Sequence, residues 1–138
     1  MTLTKPQVRQ VLAVYLRAWE TQDPALIVSI FAEGATYHER VLGAPIVGRD
    51  GIREYWRAKV VGSQANITTR LLALYLDEGE RTAVAEWEAS FDDTAQGVRK
   101  RMREVALLTF DGRGLIAGLR EYWASEEIPA AAPSPAGQ

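Results

Sequence analysis

Thr4 is followed three residues later by Gln7, and apolar side chains then return at Val8, Val11, Leu12, Tyr15, Leu16 and Trp19. The first pair is a capping-box signature. The i, i+3, i+4 spacing that follows draws one wide apolar face and predicts a helix over roughly 5–21. Asp23 and Pro24 suit an N-cap and a first helical position, so a second helix starts there. It carries Leu26, Ile27, Ile30 and Phe31 and is expected to close at Gly34. "ATYHERV" (35–41) reads as a short strand and "LGAPIVG" (42–48) as a loop. Asp50 is placed to cap a third helix whose apolar members are Ile52, Tyr55, Trp56 and Val60.

The period then changes from about 3.6 to 2. Segments 66–77, 81–91, 97–110 and 115–124 read as four strands, separated by the turn-rich "DEGE", "DDTAQG" and "DGRG". Alternation assigns the faces. Ala83, Ala85, Trp87, Ala89 and Phe91 share one side, opposite Glu86 and Glu88. Met102, Glu104, Ala106, Leu108 and Phe110 share a side, opposite Arg99, Arg101 and Arg103. Leu119, Glu121 and Trp123 share another. The arginine row is expected to meet Glu86 and Glu88 as cross-strand ion pairs on an open face. Helices first and strands after them predict an α+β fold. One domain over 1–126 is expected, with 127–138 a Pro/Ala-rich disordered tail.

Composition narrows the function classes. The 138 residues are 47% hydrophobic and 25% charged, ordinary values for a globular domain. A net charge of −2 gives no general pull toward nucleic acid or an anionic membrane. Without cysteine there is no disulfide framework, thiol nucleophile or cysteine zinc site. No secretory signal or membrane span is visible, so a cytoplasmic location is expected. "GRDG" and "DGRG" are turn signals, and neither is a phosphate loop. Glu39, Glu104 and Glu121 offer oxygen ligands, but no metal-ligand motif accompanies them and His38 is the one histidine. No metal or cofactor is expected.

The order and spacing of "VYLRAWETQD" (14–23), "IVSIFAEGATYHERV" (27–41), "GRDGIREYW" (48–56) and "LTFDGRGLIAGLREYW" (108–123) resemble the nuclear-transport-factor-2-like superfamily. The likeness is to its SnoaL-like and ketosteroid-isomerase-like members and spans residues 4–126. It implies a cone: a curled antiparallel sheet wrapped around three N-terminal helices, a cystatin-like α+β roll. It also implies an apolar pocket with one open end, and a homodimer through the convex sheet face.

Carried over residue by residue, Tyr15 falls on the phenol that donates to an oxyanion in the steroid isomerases. Glu39 falls on their general base. Their second, protonated carboxylic acid falls on Ala106, so half of that oxyanion hole is missing. Ketosteroid isomerase is a standard worked case of a carboxyl kept neutral beside another that acts as base. The resemblance puts Trp19, Trp87, Leu119 and Trp123 on the pocket wall, with Tyr37, Trp56 and Met102 also facing inward. It turns Glu121 and Glu104 inward as well. An inward carboxylate on an apolar face is costly unless paired, protonated or wet, which makes Glu121 a third catalytic candidate. A structural ion pair with Arg53, Arg57 or Arg120 is the alternative for Glu121. His38 and Arg40 alternate outward from Tyr37 and Glu39. The dehydratase branch of the superfamily relies on a histidine from the later strands, and this chain has none there.

Two readings follow. In one, the chain is an enzyme doing acid–base chemistry on a small apolar molecule, with Glu39 as base, Tyr15 as donor and Glu121 as acid. In the other, it is a non-catalytic ligand-binding or dimerisation domain.

Overall fold

A computed structural model describes residues 2–130. Helix α1 (Lys5–Glu20) starts as the sequence predicts. Gln7 N–H donates to the Thr4 hydroxyl at 3.3 Å, and Thr4 N–H donates to the Gln7 side chain at 2.9 Å. A cap of this kind is worth about 1 kcal/mol. Its inner face buries Val8, Leu12, Tyr15, Leu16 and Trp19.

Helix α2 (Pro24–Val28) is capped by Asp23, which accepts from Leu26 N–H at 3.0 Å. It is shorter than predicted. Ile30 already accepts a hydrogen bond from the backbone of Ile116 at 2.8 Å, and Phe31 opens strand β1 (Phe31–His38). Pairing with a distant strand overrides the local helical pattern, and Gly34 lies within the strand instead of closing a helix. Glu39 and Arg40 fall in the bend that follows.

The expected loop 42–48 contains a short strand, β2 (Ile46–Val47), antiparallel to β1. Helix α3 (Gly48–Trp56) begins at a glycine with φ +82°, a backbone state that favours glycine. Asp50 is therefore not its cap. It lies in the first turn and pairs with Arg53 at 3.1 Å. One π-helical turn (Arg57–Val61) continues α3.

Strands β3 (Gln64–Asp77), β4 (Thr82–Asp93), β5 (Val98–Phe110) and β6 (Ile116–Ile128) match the four predicted strands. Ala83, Ala85, Trp87, Ala89 and Phe91 are all buried on one face of β4, as alternation requires.

The predicted cone-shaped, curled antiparallel sheet of a cystatin-like roll does not form. The six strands make an open, mixed sheet in the order β2-β1-β6-β5-β4-β3. Strands β1 and β6 run parallel, and β2 and β3 are the two edges. An edge strand of two residues cannot zip along a partner of 14, so the sheet has no means of closing. Helix α1 lies against β3, and α3 against β1.

The arginine row pairs more widely than predicted. Only Arg103 reaches Glu86 and Glu88, at 3.5 and 3.7 Å. Arg99 takes Asp92 and Arg101 takes Glu126. Of the predicted tail, residues 127 and 128 belong to β6, and 131–138 lie outside the described residues.

Candidate functional site

A partly open cavity of about 80 Å³ lies between α1, the end of α3 with its π-turn, and the strands. At 10–15 Å³ per water-sized occupant, that is room for roughly six. Small-molecule pockets usually run to about 300 Å³ or more. The enclosed space therefore takes a small molecule, or the reacting end of a larger one.

The cavity's depth is built from groups that are far apart in sequence. Tyr15 and Tyr37 each donate to the same oxygen of Glu121, Oε1, at 2.8 Å, and their own hydroxyls are 3.0 Å apart. All three side chains are buried. Their rings are held by other aromatics. Tyr15 packs at 5.0 Å from Trp87 and edge-on at 5.6 Å from Trp56, and Tyr37 lies 5.6 Å from Tyr55. Converging phenols fixed by ring packing form an anion-stabilising pair that needs no rearrangement to act.

Glu104 stands beside this centre. It lies on β5 opposite Trp123, and Glu121 lies on β6 opposite Ala106, so the two acids are diagonal neighbours on one sheet face. They hydrogen-bond to each other. Burial pushes the Glu121 carboxyl up to about 7. The phenols of Tyr37 and Tyr15 hold it down against that, and the charge of Glu39 adds to the rise. Burial also drives Glu104 well above the usual carboxylate range, followed by the charge of Glu121. Glu121 has two phenol donors, whereas the Glu104 Oε2 atom has no partner among the described residues. Glu104 is thus the member that keeps the proton. Burial and the adjacent Glu121 charge raise both Tyr15 and Tyr37 well above the ordinary phenol value, so both stay protonated donors.

Glu39 lines the same cavity at its rim. Its side chain pairs with Arg40 at 3.4 Å and is 20% exposed. Its carbonyl accepts from the Trp123 indole at 3.0 Å, while the Arg40 guanidinium lies 5.3 Å from the centre of the Trp123 ring.

Of the predicted pocket residues, Tyr15, Trp19, Tyr37, Glu39, Trp56, Met102, Glu104, Glu121 and Trp123 line the cavity. Trp87, Ala106 and Leu119 do not, and all three are fully buried in the core. The Tyr15 ring packs on Trp87, and Leu119 faces Leu108 across the ladder. These positions lie further along the same strand faces, where core packing takes over. Tyr15 hydrogen-bonds to Glu121 and Tyr37, not to Glu39. Arg53 and Arg57, two of the arginines weighed as partners for Glu121, pair with Asp50 and Glu54 instead. Ala106 indeed brings no carboxyl, but Glu104, two residues earlier on the same face, supplies one.

Sequence reasoning missed the outer lining: Asp93, Lys100 and Ser125 on the strands, and Lys59, Ser63 and Gln64 at the π-turn and the start of β3. Period-two extension of the known faces, from Phe91 to Asp93, Met102 to Lys100 and Trp123 to Ser125, was the available signal. Among the described residues no group of three or more His, Cys, Asp or Glu side chains is arranged to hold a metal ion. No described helix is long and apolar enough to cross a membrane.

The α+β frame and its buried aromatic–carboxyl pocket define a member of the nuclear-transport-factor-2-like superfamily. Within it, the model of the SnoaL-like domain matches residues 12–119, and the chain belongs to that family. It is 31% identical over 125 residues to a steroid Delta-isomerase of Nocardioides simplex, covering 88% of this chain and 94% of that protein. The solved structure of SalBIII is similar in fold. It is described as an epoxide hydrolase/cyclase-like enzyme in pyran ring formation in polyether salinomycin. Its TM-score is 0.72 at 24% identity, over 84% of this chain and 89% of SalBIII.

Proposed function

We propose that this chain is a cofactor-independent enzyme that moves protons on a small apolar substrate, with Glu121 and Glu104 as its acid–base pair. The observation that carries the proposal is the convergence of Tyr15 and Tyr37 on one oxygen of Glu121 at the wall of a cavity, next to a second buried acid. A carboxylate whose pKa lies near neutrality is strong enough to take a proton and is still ionised often enough to do so. Glu121 is the base. Glu104, kept neutral by burial, gives a proton to the oxygen that gains charge. The phenols are donors for that charge as it moves from carboxylate to substrate. Kinship with a steroid Delta-isomerase supports proton transfer next to a carbonyl, and isomerisation, cyclisation and epoxide opening all use the same groups.

A second reading keeps Glu39 as the base. It is favoured by the position of Glu39 on the same cavity wall, with its charge held by Arg40. The inner pair then serves as the acid.

The two readings give opposite pH profiles. The test uses 5-nitrobenzisoxazole, a compact C–H acid whose ring opens with a colour change once a base removes its proton. With Glu121 as base, the rate rises through about pH 7 and levels off. Glu121→Gln then loses about 100-fold or more, and Glu39→Gln loses a few-fold at most. A rate that instead falls through about pH 7, with the larger loss in Glu39→Gln, transfers the base to Glu39. No proton transfer above the buffer background in the wild-type protein removes the enzyme reading and leaves a ligand-binding domain. The family expectation of a homodimer is proposed for the outward sheet face, where Tyr122 is 45% exposed. Light scattering on the purified protein checks it.

A further inference from the structure

The cavity is chemically lopsided. Its depth holds the buried carboxyls of Glu104 and Glu121, and its mouth holds Lys59 and Lys100 beside Asp93 and Glu39, each of which already has a cation partner. Moving outward along one face of β5, the side chains are Glu104, Met102 and Lys100; along β6 they are Glu121, Trp123 and Ser125. Glu104 and Lys100 are four residues apart, about 14 Å at the usual strand rise. The stretch between them is walled by Met102, Phe91 and Trp19.

At the mouth, Lys100 pairs with Asp93 at 3.0 Å, which uses one of its three donors. Asp93 is fixed in turn by the backbone N–H of Gln96 at 2.9 Å. Lys59, on the π-turn, has no carboxylate partner among the described residues and lines the same opening. Gln64 is 6% exposed, and its side-chain oxygen accepts from the Trp19 indole at 2.8 Å. An indole only donates, so the Gln64 orientation is fixed with its NH₂ group on the other side. Gln64 lines the cavity, and its NH₂ group makes no hydrogen bond among the described residues. Gln22 anchors this corner by donating to the carbonyls of Val60 at 2.9 Å and Gln64 at 2.7 Å.

We infer that the substrate has an anionic end, a carboxylate, held at the mouth by Lys59, Lys100 and the Gln64 amide, while its apolar body carries the reacting group down to Glu121. The inference rests on the acid–base reading for the identity of the reacting end. The charge distribution also sets the direction of entry. A carboxylate pushed inward meets the buried acids Glu121 and Glu104, whereas one left at the mouth meets two ammonium groups. Neutral apolar molecules have no such preference.

Calorimetric titration with 5-phenylpentanoate and its neutral amide, at pH 7.5 and low salt, tests this. The expected result is that the acid binds about tenfold more tightly than the amide. Salt narrows that gap, and so does Lys59→Gln. Lys59→Gln combined with Lys100→Gln closes it. Equal binding of acid and amide overturns the inference. So does a gap untouched by both substitutions, or no binding of either compound at millimolar concentration. The same titration on Glu121→Gln separates the two claims. Proton transfer lost there with the acid preference intact supports both, whereas intact wild-type proton transfer without an acid preference overturns the anionic end alone.

Discussion

Two pairs of glutamates occupy opposite faces of one sheet and behave in opposite ways. Glu86 and Glu88 point outward from β4, where Arg103 reaches both and Arg70 holds Glu88 at 2.9 Å. The Arg70 hydrogen bond lowers the Glu88 carboxyl below its usual range. Glu104 and Glu121 point inward from β5 and β6, with no cation beside either, and burial raises both. The residue type is the same on both faces. Solvent and arginine stabilise the charged form on one, whereas desolvation and a neighbouring acid oppose it on the other. The outward pair belongs to a solvated ion-pair ladder, and the inward pair is a buried acid pair whose ionisation is opposed.

The strongest way to break this contrast is to remove the phenols. Tyr15→Phe combined with Tyr37→Phe leaves the Glu121 carboxylate buried without its two phenol donors. We expect a loss of about 3–5 kcal/mol at pH 8 in urea unfolding, and much less at pH 5, where the carboxyl is protonated. An equal loss at both pH values would mean the phenols act by packing alone.

The next effect needs no mutation. Glu121 has an ordinary value of 4.5 and sits at about 7 in the fold, so the folded chain holds the proton more tightly than the unfolded one. Below pH 4.5 both states are protonated and this contribution is complete. As pH rises toward 7 the unfolded chain ionises first and stability falls, on the order of 3 kcal/mol in all. Glu104, raised in the same direction, extends the decline upward. Melting curves at pH 5.5 and 8.5 should therefore place the lower midpoint at pH 8.5. Surface acids such as Glu88 and Asp92 have lowered values, so their contribution is already complete at pH 5.5.

Glu121→Gln sharpens the comparison further. It should flatten that pH dependence and match or exceed the wild-type protein in stability at pH 8.5, while losing proton transfer. Lower stability than wild type at pH 8.5 would contradict an uncompensated charge at this position. The smallest effect belongs to the outward face. Arg103→Ala breaks two long contacts to solvent-facing glutamates, and the melting midpoint should move by less than about 2 °C. A large shift there would show that the outward ladder carries stability the geometry does not suggest.

Much of the frame was legible in the chain. Thr4 with Gln7 marked the start of α1, the period-two runs located β3 to β6 and grouped their side chains by face, and the family resemblance turned the faces of Glu104 and Glu121 inward. Local signals failed where pairing partners were distant. Ile30 and Phe31 fit a helix until Ile116 is beside them, and Ile46 with Val47 is a strand only because β1 is there to pair with. The expected curled cone failed for a related reason. Alternation gives the facing of each strand but not which strands become neighbours, and neither the β1–β6 parallel pair nor the two-residue edge has a signature in sequence.

What the sequence determined by itself is α1, the start of α2, the four long strands β3 to β6, and the presence of carboxyls on the same strand sides as apolar residues. These follow from short-range periodicity and from the cost of burying charge. Only the tertiary structure decided that Tyr15 and Tyr37 meet Glu121, that Glu104 is buried beside it, and that Glu39 stays at the rim. Such contacts join residues 22 to 106 positions apart. They depend on how α1, β1 and β6 pack together, and no local rule encodes that distance.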